Sequence, residues 1–266
     1  MLRAKNDCLT LASGELDYIR FGSGPRTLVM LPGVGDGLKT VRGMALPFAL
    51  LYRSLAADFT VFVFSRRRAL PQHFSTREMA ADLNEAMEAL GLSHSAVVGV
   101  SQGGMIAQWL AIDHPDKVGK LVLVVTLGRP NDTVRRAVAV WTAMAERGDY
   151  RGIMLDTAER SYSEKRLRLA RLEYRLVGGL GKPKSFERFL TQAESCIIHD
   201  AWDALACIDC PTLVIGGTDD RIVTGAASEE LAARIPGSSL YLYEGLGHGL
   251  YEEAADFLPR VAAFCR

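Results

Sequence analysis

The chain has 266 residues, of which 48% are hydrophobic and 23% are charged, and its 31 Lys and Arg residues balance 31 Asp and Glu residues. A net charge near zero argues against nucleic acid as a general partner, and no apolar run reaches the roughly 20 residues that span a bilayer. The first residues lack the apolar stretch of a secretory signal and the five cysteines are odd in number, so we expect a cytoplasmic protein with free thiols.

In chain order, the first predicted elements are two short strands, 9–13 and 15–22, which flank a Ser13-Gly14 turn and predict an antiparallel hairpin. Six almost continuously apolar runs follow, as expected for strands that are buried on both faces. These runs are 27–31, 60–64, 95–100, 120–125, 211–216 and 239–244.

Helical patterns separate the apolar runs, and Thr76 can cap the second of them. They cover residues 38–57, 76–91, 102–113, 225–235 and 252–265. Strands that alternate with helices predict an α/β fold with a mostly parallel, doubly wound sheet of about eight strands, to which the hairpin adds an antiparallel part.

The alternation is interrupted between the runs 120–125 and 211–216, because this long segment contains no convincing strand and ordinary crossovers are much shorter. Helical windows occur there at 131–149, 164–179 and 185–202. We therefore predict a core formed by residues 1–128 and 206–266, with residues 129–205 inserted as a helical lid. Such a lid should lie over the carboxyl ends of the strands, where open α/β sheets bind ligands.

One serine stands between glycines where a predicted strand gives way to a helix: Ser101 lies two residues from both Gly99 and Gly103 in the stretch VVGVSQGG. A serine on so sharp a turn must adopt strained backbone angles, and a side chain at either glycine would collide with the neighbouring strand or helix. The turn raises the hydroxyl clear of the sheet and leaves backbone N–H groups free at the start of the helix. Ser101 is therefore the predicted nucleophile.

A serine hydroxyl needs a base to remove its proton, and the base needs an acid to orient it. His248 follows the last predicted strand within a glycine-rich loop, whereas the other four histidines lie in polar connections, at a helix end or in the predicted lid. We therefore predict His248 as the base. Asp219 and Asp220 follow the strand 211–216, so one of them should face the imidazole and the other should serve as a turn or cap residue.

These residues, in the order serine, aspartate and histidine, resemble the α/β-hydrolase superfamily over nearly the whole chain, from about Leu9 to Phe264. The family's acid typically lies in a Gly-x-x-Asp loop, so the resemblance implies Asp220 rather than Asp219. The loop after the first parallel strand, Leu31-Pro32-Gly33-Val34-Gly35, looks like the family's oxyanion loop. The resemblance thus implies that the backbone N–H groups of Val34 and Gln102 hold the oxyanion.

Two departures from the family's patterns concern the loops beside this site. Pro32 stands where the family often has His, and Ser65-Arg66-Arg67-Arg68 stands where it often has Asp-x-Arg-Gly. We expect the three arginines to form an exposed loop cluster, although one of them could reach the mouth of the pocket.

The resemblance implies hydrolysis of a small-molecule ester, lactone or thioester, or of an activated carbon-carbon bond, without a cofactor. Acyl transfer and perhydrolysis use the same residues, and the family also includes hormone receptors with slow turnover. The sequence predicts no nucleic-acid or membrane partner and leaves open whether the chain is a monomer or a homodimer. A C-x-x-C pair, Cys207 and Cys210, leads into a strand and lacks a second pair, so we predict no metal or redox site there.

The predicted lid supplies four aromatic residues that could line an acyl pocket or form the lid's own core: Trp141, Tyr162, Tyr174 and Trp202. Residues 129–190 also contain 14 Lys and Arg residues against 8 Asp and Glu residues. This surplus could attract an acidic substrate, or it could be the solvated face of a helix.

Overall fold

The computed structural model describes residues 2–177 and 181–266, without the side chains of 175–177. Eight strands form one sheet. They are β1 (Lys5–Leu11), β2 (Gly14–Gly22), β3 (Arg26–Leu31), β4 (Phe59–Phe64), β5 (Ser95–Val100), β6 (Val118–Val124), β7 (Thr212–Gly217) and β8 (Ser239–Tyr243). The strand order is β1-β2-β4-β3-β5-β6-β7-β8.

Helices cover both faces of the sheet. They are α1 (Ala45–Leu51), α2 (Thr76–Ala89), α3 (Gln102–Asp113), α4 (Asp132–Glu146), α5 (Tyr150–Ser161), α6 (Glu164–Val177), α7 (Glu187–Ile198), α8 (Gly225–Arg234), α9 (Leu250–Glu253) and α10 (Phe257–Cys265). Strand β2 pairs antiparallel with β1 and β4, and the remaining pairs are parallel. The predicted fold class is therefore confirmed, including the antiparallel hairpin.

The central strands are buried on both faces, which is why their sequences read as continuous apolar runs. Alternate residues of β5 show the pattern: Val98 belongs to the apolar core on one face of the sheet, and Val97 to the core on the other. Each fully buried aliphatic side chain of this kind contributes roughly 1.5–3 kcal/mol to folding. The two cores hold the carboxyl ends of the parallel strands at one edge, where the site forms.

Two predicted helix boundaries and one predicted capping residue were wrong. Helix α1 is much shorter than the predicted 38–57, because Pro47 lacks an N–H and fits only the first turn of a helix that starts at Ala45. The predicted helix 252–265 is two helices, α9 and α10, with Ala254 extended between them. Ser75, rather than Thr76, caps α2, and it forms a capping box with Glu78.

Four helices, α4 to α7, occupy the chain between β6 and β7. Helix α5 was not predicted; it begins after Asp149, whose carboxylate accepts the N–H of Gly152 at 2.8 Å. The last two residues of the predicted window 164–179 lie outside the described residues. The division into a core and a lid stays a prediction. None of the helices in the described ranges is long and apolar enough to cross a membrane.

His199, just after α7, is a buried histidine that links the end of α7 to helices α2 and α3. Its Nδ1 lies 2.8 Å from Thr76 Oγ1, its Nε2 lies 3.3 Å from Gln108 Oε1, and only 2% of the residue is exposed. Burial lowers the pKa of His199 to about 4, although Asp200 and the carbonyl of Leu127 favour the charged form.

We predict that this histidine makes folding sensitive to acid. The unfolded chain takes up the proton below about pH 6.5 and the folded chain only near pH 4, so stability is lost as the pH falls between these values. The expected loss at pH 4.5 is on the order of 2.5 kcal/mol. Urea unfolding at pH 7.5 and pH 4.5 measures it, with His199→Gln as the comparison. An equal loss in both proteins would contradict the prediction.

Candidate active site

Ser101 occupies the sharp turn between β5 and α3 that the flanking glycines predict. Its backbone lies at φ 54° and ψ −120°, a region that costs a non-glycine residue about 1–3 kcal/mol. Hydrogen bonds hold it there: Ser101 N donates to the Val124 carbonyl at 2.9 Å, and the Ser101 carbonyl accepts from Thr126 Oγ1 at 2.8 Å. The strained turn is thus fixed by strand β6 and the residues that follow it.

The glycines around Ser101 are required by close approach of the backbone. A Cβ on Gly99 would lie against the backbone of Gly103 and Gly104 in α3, and a Cβ on Gly103 would lie against the carbonyl of Leu31 in β3. These contacts agree with the collisions expected from the sequence. Helix α3 can therefore start directly above the sheet only with small residues on either side of the serine.

His248 and Asp220 form a buried hydrogen-bonded pair at the ends of β7 and β8. The imidazole Nδ1 lies 2.8 Å from Asp220 Oδ2, while Asp220 Oδ1 accepts the N–H groups of Ile222 at 2.7 Å and Val223 at 2.9 Å. Both residues are 6% exposed. An ionised Asp220 orients the neutral imidazole with the proton on Nδ1, which leaves the lone pair on Nε2 free to accept a proton.

The charge on Asp220 is favoured by its partners. Burial raises the pKa of this carboxyl group, but the neighbouring His248 and the N–H groups of Val223 and Ile222 outweigh the burial, and the pKa lies below its ordinary value. Asp219, the alternative acid, is exposed, and its carboxylate accepts the Thr218 hydroxyl at 3.1 Å. The structure therefore brings Asp220, and not Asp219, to the imidazole.

Ser101 and His248 line the same cavity, which has a volume of about 400 Å³. Among the described residues no hydrogen bond links the Ser101 hydroxyl to His248. Such hydrogen bonds are often long until substrate binds. The cavity thus brings together a hydroxyl on a strained turn and a histidine oriented by a buried carboxylate.

The loop predicted to bind the oxyanion passes directly beside the serine. A methyl group added to Gly33 would lie 3.7 Å from Ser101 Oγ. Val34 begins a short 3-10 helix and Gln102 begins α3, so neither N–H has a carbonyl to bind within its own helix. Within residues 2–177 and 181–266, neither N–H donates a hydrogen bond, which leaves both available to a ligand.

Three of the four predicted aromatic residues reach this cavity: Trp141, Tyr162 and Tyr174 line it. Trp141 Nε1 donates to Asp156 at 2.8 Å, and the Tyr162 hydroxyl donates to Glu252 at 2.7 Å. Trp202 does not line the cavity. It packs instead against the opposite core, with the Arg129 guanidinium 4.2 Å above its ring.

Arg66 is a residue of this site that sequence reasoning misplaced. It is 5% exposed rather than part of an exposed cluster. Its Nη2 donates to the Pro32 carbonyl at 2.5 Å and to Gln102 Oε1 at 2.9 Å. Burial lowers its pKa to about 10, although Asp36 raises it, so Arg66 stays protonated at neutral pH. One buried cation thus contacts both the loop that is predicted to bind the oxyanion and the residue after the serine.

The other two arginines of this loop differ from Arg66. Arg67 pairs with Asp82 at 3.3 Å and is largely buried, and only Arg68, paired with Asp17 at 2.6 Å, keeps a third of its side chain exposed. The expectation of an exposed cluster was therefore wrong for Arg66 and Arg67. Their position directly after β4, at the edge where the parallel strands end, was the signal in the sequence.

Helix α7 completes the contacts around Arg66. Arg188 Nη2 donates to Asp36 Oδ2 at 2.6 Å and to the Arg66 carbonyl at 2.8 Å. Gln102 Nε2 donates to the Gln192 carbonyl and to Ser195 Oγ, both at 2.8 Å. The loop after β3, the residue after the serine and helix α7 therefore form one buried polar network.

The charged side chains lining the cavity show no positive excess, because Asp36 and Glu252 oppose Lys39. Several arginines of the inserted helices are paired: Arg160 with Asp156, Arg166 with Glu173 and Arg171 with Glu159. None of the described Lys and Arg side chains of residues 129–190 lines this cavity. In the part of the chain that the structure describes, no group of three or more His, Cys, Asp or Glu residues could hold a metal ion.

Comparison with known proteins shows which family this chain belongs to. The family model described as "alpha/beta hydrolase fold" matches residues 26–255. Among curated relatives, RutD of Caulobacter sp. (strain K31), which is named a carbamate hydrolase, is 28% identical over 264 residues, covering 92% of this chain and 94% of that protein. A 2-hydroxy-6-oxononadienedioate/2-hydroxy-6-oxononatrienedioate hydrolase of Pseudomonas putida is 29% identical over 270 residues, covering 94% and 92%.

Solved structures show the same fold. The enol-lactonase from Burkholderia xenovorans LB400 superposes with a TM-score of 0.82 at 20% identity, over 97% of this chain and 99% of that one. MGS-M2, an alpha/beta hydrolase from a Medee basin deep-sea metagenome library, superposes with a TM-score of 0.84 at 18% identity, over 97% and 96%. At these identities the likeness concerns the fold alone.

Proposed function

The chain belongs to the α/β-hydrolase family, and we propose on that basis that it is a serine hydrolase that cleaves a small-molecule carboxylic ester, or a related lactone or thioester. The observation that carries the proposal is the cavity in which Ser101 lies with His248, whose Nδ1 is 2.8 Å from the buried Asp220. Nothing in the proposed reaction requires a cofactor. The cavity volume of about 400 Å³ suits a small molecule.

The proposed reaction has two halves. His248 Nε2 takes the proton of Ser101 as Oγ attacks the substrate carbonyl, and the N–H groups of Val34 and Gln102 hold the oxyanion. Collapse of the tetrahedral intermediate breaks the ester bond, and His248 returns the proton to the leaving alcohol. Water, activated by His248, then attacks the acyl-enzyme and releases the carboxylic acid. Asp220 holds the imidazole in the required tautomer throughout.

A carbon-carbon bond hydrolase is the second candidate, favoured by the Pseudomonas putida relative. That relative is named for a dioate, which carries two carboxylates. On the cavity lining of this chain, Asp36 and Glu252 outnumber Lys39, and this excess of negative charge disfavours a substrate with two carboxylates. We therefore place esters first and carbon-carbon bonds second.

A substrate panel tests the proposal. The panel contains p-nitrophenyl esters, lactones, thioesters, carbamates and vinylogous diketones, and each is measured with and without prior treatment by a fluorophosphonate. We expect ester turnover that the fluorophosphonate abolishes, with the label on Ser101 by peptide mass spectrometry. Products formed with added alcohol or peroxide would identify acyl transfer or perhydrolysis. Absence of both turnover and labelling would reject the proposal, whereas labelling with only slow turnover would favour a ligand receptor.

Arg66 is proposed as a positioning residue for this reaction, because it contacts Pro32 and Gln102 on both sides of the oxyanion site. We predict that Arg66→Met lowers kcat by about tenfold to a hundredfold with little change in KM, since misplaced N–H donors weaken transition-state binding more than substrate binding. Steady-state kinetics and the rate of fluorophosphonate labelling measure the effect. Arg68→Met, at a partly exposed surface pair, is the matched control. Equal kcat values in the two variants would contradict this role.

A further inference from the structure

A second cavity, of about 610 Å³, lies beside the catalytic cavity, between the sheet and helices α1 and α10. We call it the rear cavity. Its floor is formed by strand residues Met30, Val63 and Val98, and its sides include Leu51 of α1 and Leu258 of α10. It is not used by any step of the reaction proposed above.

The rear cavity and the catalytic cavity adjoin each other. Six residues line both: Pro32, Gly33, Phe48, Val100, Tyr251 and Glu252. Val100 directly precedes Ser101, and a methyl group on Gly33 would lie 3.7 Å from Ser101 Oγ. The rear cavity therefore lies next to the space in which a substrate would be held at the serine.

The chemistry of the rear cavity is apolar. Burial raises the pKa of Tyr52 to about 12, and burial also raises the pKa of Tyr251, so both phenols stay neutral at physiological pH. Arg166 and Glu252 are the charged residues on its lining, and they have opposite signs. Such a cavity, with few polar groups and a volume within the range of small-ligand pockets, favours a hydrocarbon arm over a charged one.

The surface next to the rear cavity is also apolar. On α1, Leu51 lines the cavity and is 66% exposed, and Leu46 and Leu50 beside it are 58% and 51% exposed. Three large exposed aliphatic side chains on one short helix form an apolar patch of the kind that marks a binding surface. An apolar arm that projects from the rear cavity would meet leucine side chains rather than charged groups.

We propose that the rear cavity binds an unbranched hydrocarbon arm of the substrate, so that the preferred ester carries a medium-length chain. This inference rests on the proposed ester hydrolysis for its assay, although the cavity itself is independent of it. The arm belongs to either the acyl group or the alcohol. Two ester series, one varied in each group, distinguish these sources.

The test compares variants that fill and enlarge the cavity. Ala254→Phe adds a ring at a half-buried lining position, and Leu258→Ala removes side-chain volume at another lining position. Ala263→Phe adds the same ring at an exposed position of α10 outside the lining. For each protein we measure kcat/KM over both straight-chain ester series, with acyl groups from acetate to dodecanoate in one and alcohols from methyl to dodecyl in the other, together with the melting temperature. Calorimetric binding of straight-chain carboxamides of the same lengths gives a readout that does not depend on turnover.

In the wild type and in Ala263→Phe we expect kcat/KM to rise about fourfold per methylene until the cavity is filled, in one of the two series. Ala254→Phe should end this rise at a shorter chain, and Leu258→Ala should shift its end to a longer chain. An unchanged profile in folded Ala254→Phe, or flat profiles in both wild-type series, would overturn the inference. If Ala254→Phe does not fold, an unchanged optimum in Leu258→Ala overturns it.

Failure of the proposed function gives a different result. If the wild type cleaves no ester but carboxamide affinity rises with chain length and Ala254→Phe removes the rise, the rear cavity binds a hydrocarbon arm and the hydrolysis proposal is wrong. If the carboxamides bind equally at all lengths while short esters are cleaved, the hydrolysis proposal stands and the rear cavity has no such role.

Discussion

Replacement of Ser101 by alanine is expected to lower kcat for ester hydrolysis by about a millionfold, which places turnover below detection. The variant loses the oxygen that forms the acyl-enzyme, while the N–H groups of Val34 and Gln102 can still bind the substrate carbonyl. Alanine also relieves none of the backbone strain at φ 54°, so we expect the melting temperature to change little. Burst kinetics and mass spectrometry of the acyl-enzyme measure the loss.

Ser93→Ala is the matched control for this prediction. Ser93 is exposed and precedes the other end of the strand that leads to Ser101. The control should retain wild-type kcat and a single fluorophosphonate label. Measurable turnover by Ser101→Ala, beyond a trace of contaminating enzyme, would exclude the proposed nucleophile.

Asp220→Asn is expected to lower kcat by about ten thousandfold while leaving the fold intact. The asparagine amide can replace the carboxylate in size and can still accept the N–H groups of Ile222 and Val223 through its oxygen. Its NH₂ group then faces His248 Nδ1 and favours the tautomer with the proton on Nε2. A protonated Nε2 cannot accept the proton of Ser101, so attack on the substrate is blocked.

The neighbouring residue supplies the control for Asp220. Asp219→Asn makes the same chemical change one position earlier, at an exposed carboxylate that contacts Thr218. We expect kcat within a factor of about two of the wild type for this variant, because the charge of an exposed side chain is screened by solvent and interacts only weakly with the rest of the protein. Equal losses in the two variants would show that the carboxylate facing His248 has no special role.

Much of the fold follows from patterns that neighbouring residues create. The strands β3 to β7 are buried on both faces, and burial on both faces requires apolar residues at successive positions, so their sequences reveal them. The turn at Ser101 needs glycine at positions 99 and 103, and that requirement is equally visible. The order of serine, aspartate and histidine is also a property of the chain alone.

Other features depend on which strands, helices and loops pack against each other, and the pattern of neighbouring residues in the sequence does not reveal that packing. Asp219 and Asp220 are chemically identical neighbours, and only the packing of the loops after β7 and β8 puts one beside His248 and the other in solvent. Arg66 is an arginine in a polar loop, where an exposed side chain is the ordinary expectation. Arg66 is buried because helix α7 packs against its loop, where Arg188 donates a hydrogen bond to the Arg66 carbonyl.

The strands of the sheet, the strained serine and the histidine that follows the last strand can be read from the amino-acid sequence, because each is specified by residues adjacent in the chain. Three further features follow from long-range packing: Asp220 rather than Asp219 faces the imidazole, Trp202 packs against the opposite core, and a rear cavity adjoins the cavity that Ser101 lines. These depend on contacts between residues far apart in the chain, such as His248 with Asp220 and Gln102 with Gln192. Such residues meet only when the chain folds, because the type of a residue does not show which distant residue it will contact.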